Sequence, residues 1–324
     1  MSELSLTDLK GIGDKTAEKL IDLGYKTVES IAVLREEELA EVLGWTKMKA
    51  RETINDAKEK SLSTVVPILD FDEYYDQIEK EKIHFSTGSA NLNRILHGGI
   101  CTGELTALRG SFSSGKTQIC YTVTVNVLGK GYAVAWIEVE PGTFSTDRLR
   151  EISSKKGVEI DPKKVYVVPA RNISSPNVQF LSYQRIQREI EKGLDVKLLV
   201  VDSFSPKFRE FYPRREMFPS RSQEIARHIG FLQSLASKYN LAVLLTAQVM
   251  GVPDTDQQKI VGMKEDSFEA VTLGHTMKHG VQTWLSLREI SRVNKLYKAS
   301  LIDSSYLPPG EAQFKIDENG VRDP

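Results

Sequence analysis

The chain has 324 residues, 40% of them hydrophobic and 27% charged, with 43 Lys and Arg against 44 Asp and Glu for a formal net charge of -1. At roughly 150 residues per domain this length predicts two units with apolar material enough for a core, and it excludes intrinsic disorder, collagen-like repeats and a disulfide scaffold. Two cysteines, Cys101 and Cys120, fit a reducing compartment and buried thiols, and the balanced charge argues against a uniformly basic nucleic-acid binder, so any such binding must come from local patches.

The first twenty residues alternate charges with leucines around no apolar stretch, so a secretory signal is not expected. No run reaches the ~18 apolar residues of a membrane span, and the expected location is the cytoplasm, at the nucleoid, with no membrane partner. Residues 1–60 read as short helices: Leu20, Ile21, Leu39, Val42, Leu43, Ile54 and Ala57 recur at three- and four-residue spacing, broken at Gly11, Gly13, Gly24 and Gly44. Residues 61–84 turn β-branched and proline-containing, then acidic and aromatic, which predicts a linker arm. Within 85–324 short apolar runs alternate with amphipathic segments. The runs at 105–108, 132–139, 165–168, 198–202 and 241–247 are short, apolar and rich in Val, Leu and Ile, as strands covered on both faces are; the segments at 116–128, 146–156, 177–192 and 219–239 supply the covering helices. Residues 284–323 read as strands and turns.

Gly110-Ser111-Phe112-Ser113-Ser114-Gly115-Lys116-Thr117 matches G-x-x-x-x-G-K-[ST] between a predicted strand and a predicted helix, the context a phosphate loop requires. Converging main-chain N–H groups and a helix N-terminus suit phosphate; Lys116 reaches the β- and γ-phosphates, and the Thr117 hydroxyl holds Mg²⁺. Asp202, ending the run Leu198-Leu199-Val200-Val201, supplies the second carboxylate on the metal side. Water activation needs a base. Glu138 and Glu140 end the run before Pro141-Gly142, and either can serve, with Glu140 nearer the carboxyl edge where ligands bind in open sheets. Gln248, ending the run at 241–247, is a candidate γ-phosphate sensor.

These blocks, in this order, resemble the archaeal RadA recombinases and their eukaryotic strand-exchange relatives among the RecA-like ATPases. The resemblance covers nearly the whole chain: Ser86-Thr87-Gly88-Ser89 with Gly98-Gly99-Ile100, Ser114-Gly115-Lys116-Thr117-Gln118, Val201-Asp202-Ser203, Phe208-Arg209, Tyr212-Pro213, Gln248-Val249-Met250, Gly274-His275-Thr276 and Gly320-Val321-Arg322-Asp323. It implies an α/β fold, with a RecA-like P-loop ATPase core on a mainly parallel, helix-covered sheet, behind a small all-α helix-hairpin-helix domain. It further implies ATP and Mg²⁺ as ligands, assembly on single-stranded DNA, pairing with double-stranded DNA, and strand exchange. Glu140 becomes the water-activating carboxylate, Gln248 the link from γ-phosphate to the DNA loop, Gln118 part of the nucleotide site, and Asp303 part of a cap over ATP on a neighbouring subunit.

The chain departs from the family at Ser111 and Ser113, where Glu and Gly are usual, and at Pro141, which is an extra residue. The family's self-association hook, Phe followed three residues later by Ala, falls on Ile68 and Phe71. The turn Leu128-Gly129-Lys130-Gly131 is short, as in RadB-type paralogues. These departures leave an alternative: an accessory paralogue that binds DNA or a related recombinase without exchanging strands. A hexameric RecA-like helicase shares the nucleotide motifs but does not predict the basic block from Arg209 to Arg221.

Residues 204–221 hold five basic side chains, Lys207, Arg209, Arg214, Arg215 and Arg221, against Glu210 and Glu216, with Phe208, Phe211 and Tyr212 between them. Cations release phosphate counterions and aromatic faces stack on bases, so this segment is the expected DNA contact. The stretch from Asp254 to His275 is net negative and predicts salt-sensitive binding. Leu9-Lys10-Gly11-Ile12-Gly13 resembles a helix-hairpin-helix, although residues 1–60 carry 10 basic and 13 acidic side chains and equally suit a docking module. His275 and His279, four apart, find no third metal ligand nearby.

Overall fold

Capping residues and glycines set the ends of the N-terminal helices. The structure, a computed structural model, describes residues 4–64, 68–248 and 280–324. These divide into two units, Met1–Lys80 and Glu81–Pro324.

In the first unit Ser5 and Asp8 form a capping box on a 3-10 turn at Leu6–Asp8, and Gly13 opens α1 (Asp14–Asp22). Thr27 and Ser30 cap α2 (Val28–Ala32) reciprocally. Helix α3 (Glu36–Leu43) ends on Gly44 at φ 68°, a left-handed turn that costs glycine nothing. Helix α4 (Lys47–Thr64) closes a core of Leu20, Val28, Ile31, Leu39 and Ala50, all fully buried. Its Asp56 accepts from the Lys10 amide and from Lys60 Nζ, each at 2.8 Å. Burial pushes that carboxyl up, but these partners outweigh it and hold it below its ordinary value.

The predicted arm is more ordered than its composition indicates. Helix α4 runs four residues beyond Lys60, because nothing there breaks a helix before Pro67. Helix α5 (Phe71–Tyr74) then continues as a π-helical turn over Tyr75–Glu79. Asp70 and Glu73 start it with a third capping box, at 2.9 and 3.0 Å.

The second unit opens with β1 (His84–Phe85) paired antiparallel to β2 (Ile100–Cys101) around α6 (Ala90–Ile95). Strand β3 (Leu105–Gly110) leads into α7 (Lys116–Gly129). There follow β4 (Ala133–Glu138), α8 (Thr146–Lys156), β5 (Val165–Val168), α9 (Pro176–Glu191), β6 (Val196–Asp202), α10 (Pro206–Phe211), α11 (Phe218–Tyr239) and β7 (Ala242–Gln248). Four C-terminal strands complete it: β8 (Thr283–Ser291), β9 (Leu296–Ser304), β10 (Gly310–Asp317) and β11 (Gly320–Arg322). Among the described residues nine strands form one sheet in the order β11-β10-β9-β8-β3-β7-β6-β4-β5, parallel from β8 to β5 and antiparallel from β8 to β11.

Alternation along the strands feeds two cores. On β6, Leu198 and Val200 join one cluster while Leu199 and Val201 join the other; on β3, Leu108 faces the first and Leu105 and Ala107 the second. In the first cluster the fully buried Trp136 stacks on Tyr121 at 5.1 Å and meets Phe144 edge-on at 5.3 Å. Such ring pairs add about 0.5–1.5 kcal/mol each beyond their buried area. The parallel register sets Gly110 beside Gln248 and Glu138 beside Asp202, so the carboxyl ends of β3, β4, β6 and β7 share one edge.

Candidate nucleotide-binding site

The loop residues from Phe112 to Gly115 form one wall of a cleft of about 850 Å³ at that edge. Lys116 opens α7 and is buried; its Nζ donates to the carbonyls of Gly110 and Ser111, both at 2.8 Å, and lies 3.3 Å from Ser114 Oγ. Burial draws this ammonium below its ordinary value, and the carboxylates of Asp202 and Glu140 act against that shift.

Thr117 Oγ1 donates to Asp202 Oδ2 at 2.7 Å. Asp202 is 1% exposed, and its other oxygen accepts from Thr246 Oγ1 and from Ser203 Oγ. Burial raises its pKa above the ordinary value despite these three hydroxyl donors. An alcohol and a carboxylate side by side in the cleft are hard oxygen donors suited to Mg²⁺, which takes few protein ligands and completes its shell with phosphate and water. Among the described residues no cluster of three or more His, Cys, Asp or Glu forms a closed metal cage.

The two glutamates differ sharply. Strand β4 stops at Glu138, so Glu140 lies beyond the strand end. Glu138 accepts from the amides of Gly142 at 2.8 Å, Phe144 at 3.5 Å and Ala170 at 3.1 Å, and so fastens the turn around Pro141. Glu140 lines the cleft and takes the Gln248 amide, at 3.0 Å to one carboxylate oxygen and 3.4 Å to the other. Gly110, Ser111, Phe112, Ser113, Ser114, Gly115, Lys116, Thr117, Gln118, Asp202, Glu140 and Gln248 therefore gather at one edge. Asp303 does not join them: it stands on β9 opposite Trp284.

Sequence reasoning passed over several lining residues. Arg148 on α8 donates to Gln118 Oε1 at 2.9 Å and pairs with Glu151, while Arg292 and Lys295 approach from the turn joining β8 to β9 and Tyr297 from β9 itself. Single polar or charged residues on a helix and a hairpin carry no local signal of a shared cleft; the sheet order brings them together.

The structure separates the five basic side chains of this segment and Tyr212. Arg214 and Arg215 are exposed; Lys207, paired with Glu210 at 2.8 Å, Arg209 and Tyr212 are half-buried. Arg221 is 6% exposed and lies over the Phe218 ring at 4.2 Å. Burial and the nearby charge of Arg209 both lower its pKa. Phe208 is a core residue, stacked on Phe204 at 5.1 Å and set against His228 at 4.7 Å, while Phe211 is exposed. Gln248 is the last described residue before 280, so the acidic stretch from Asp254 to His275 and the pair His275 and His279 lie outside the described residues. In the N-terminal hairpin the Lys10 amide is taken by Asp56, whereas the first turn of α1 has no side-chain cap.

The family model described as Rad51 matches residues 78–324, and the SAM-like helix-hairpin-helix tandem model matches residues 3–59. The protein named DNA repair and recombination protein RadA from Aeropyrum pernix is 36% identical over 98% of this chain and 97% of its own length. The protein of the same name from Metallosphaera sedula is 34% identical over 98% of this chain and 95% of its own. A phosphate-loop cleft on a RecA-like sheet, joined to a helix-hairpin-helix segment and matched almost end to end by these relatives, makes the chain a member of the Rad51 family, in its RadA group.

Proposed function

We propose that this chain is an ATP-dependent recombination and repair protein that assembles on single-stranded DNA, pairs it with a homologous duplex and exchanges strands. The observation that carries the reading is the convergence of Lys116, Thr117, Asp202, Glu140 and Gln248 on one cleft. Main-chain amides of the loop and the Lys116 ammonium bind the phosphates. For the ammonium, this means exchanging the Gly110 and Ser111 carbonyls for phosphate oxygens. Thr117 and Asp202 hold Mg²⁺, which offsets phosphate charge. Glu140 takes a proton from the attacking water, and for that it must be freed from Gln248. A γ-phosphate that draws the Gln248 amide away releases the base, and it also moves the end of β7, from which the chain leads to residue 249 and beyond. Nucleotide state and DNA contact are thereby linked. Arg214 and Arg215 offer phosphate contacts, and Asp303 caps a neighbouring subunit's nucleotide.

A second reading, an accessory paralogue acting with a related recombinase, is supported by the arm. It carries Ile68, 96% exposed, and Phe71, 85% exposed, beside a helix in place of the family's hook. Calorimetric titration with magnesium and a non-hydrolysable ATP analogue tests the nucleotide site. Wild type is expected to bind and Lys116→Ala to lose at least about 100-fold in affinity, as when a buried charge-assisted contact is removed. Equal heats from both proteins contradict the reading.

A further inference from the structure

Ser113 occupies a backbone conformation that its side chain makes costly. Its φ is 63°, in the left-handed region where a β-carbon crowds the following carbonyl and where glycine is unstrained. Gly110 and Gly115 also have positive φ in this loop, and each has a steric reason to lack a side chain. A β-carbon on Gly110 would lie 2.4 Å from the Leu287 carbonyl oxygen, and one on Gly115 would lie 2.7 Å from Ile316 Cδ1. At position 113 a side chain is present, exposed, and part of the cleft wall.

The two consecutive serines both line the cleft but differ in exposure. Ser114 is buried with its hydroxyl 3.3 Å from Lys116 Nζ, inside the loop. Ser113 borders the open cleft beside Lys116 and Thr117, where the phosphates of a nucleotide must lie if the loop binds them. Strain kept at a binding loop, where glycine would remove it, points to work done by the side chain. A hydroxyl can donate to an anionic oxygen in a charge-assisted hydrogen bond, which a β-carbon alone cannot.

We propose that the Ser113 hydroxyl is a direct ligand of the phosphates of a bound nucleoside triphosphate, a side-chain donor added to the main-chain cradle. This rests on the nucleotide reading above. It makes Ser113 a determinant of nucleotide affinity.

The test is calorimetric titration of the full chain with magnesium and a non-hydrolysable ATP analogue, using wild type, Ser113→Ala and Ser113→Gly, alongside thermal unfolding without nucleotide. The alanine variant keeps the β-carbon and the strain and loses the hydroxyl; the glycine variant loses both. Both are expected to bind about 10-fold more weakly. The glycine variant should meanwhile unfold at or above the wild-type temperature, so that stability and affinity move apart. A purely conformational serine predicts glycine binding as tightly as wild type or more so. Wild-type affinity in either variant overturns the proposal. A wild-type chain that binds no nucleotide overturns the underlying reading instead, so the two failures are distinguishable.

Discussion

Glu138 and Glu140 stand two residues apart, and backbone satisfaction decides which is available for chemistry. Three amides hold Glu138, while one side-chain amide holds Glu140. Glu140→Gln is therefore expected to keep nucleotide affinity and lower ATP turnover by about 100-fold or more, as loss of a general base does. Glu138→Gln is expected to destabilise the turn by about 1–2 kcal/mol, seen as a lower denaturation midpoint. Steady-state turnover and unfolding of the two variants check both, and a reversed pattern would reassign the base. His228 carries a pH dependence. It is fully buried among Phe180, Phe204 and Phe208, with Nδ1 3.3 Å from the Tyr183 hydroxyl and Nε2 3.4 Å from Glu224 Oε1; Arg227 neighbours it as well. Burial, which outweighs Glu224, lowers its pKa from 6.5 to about 4. The unfolded chain then binds the proton first, so stability is fully present above about pH 6.5 and falls as pH drops towards 4, by up to about 3 kcal/mol. His228→Gln should flatten that part of the profile in denaturant titrations; an unchanged slope contradicts the assignment.

Strands and helices were legible wherever period and length agreed. The run at 165–168 and the segment at 146–156 coincide with β5 and α8, and β3, β6, β7 and α11 differ from their predicted bounds by two residues or fewer. Both faces of β3, β6 and β7 are buried, so their composition is unambiguous. The arm was less legible, because its acidic and aromatic residues read as linker composition. The local signal, Asp70 with Glu73 three residues later, was nevertheless there as a capping box. Along the arm Ile68, Phe71, Tyr74, Tyr75 and Ile78 are exposed. If copies of the chain associate through this face, Phe71→Asp abolishes self-association in sedimentation velocity and shifts unfolding by no more than about 0.5 kcal/mol, as expected for an exposed site. Unchanged sedimentation removes the arm from assembly.

For the whole molecule, sheet order turns scattered motifs into a site. Residues 110, 140, 202 and 248 are far apart in the chain, and parallel pairing of β3, β7, β6 and β4 delivers them to one edge. The loop at 110–117 and the strand-end Asp202 were readable as neighbours because each is a short local pattern at the end of an apolar run. Arg148, Arg292, Lys295 and Tyr297 were not, since their position depends on tertiary packing that no local pattern encodes. The most direct test of the account is electron microscopy of the full chain with ATP and single-stranded DNA, paired with a strand-exchange assay on the same preparations and on Lys116→Ala. The account predicts regular helical filaments and exchange in wild type, both lost in the variant. Monomers or small rings without exchange in wild type, or filaments and exchange that survive the substitution, would contradict it.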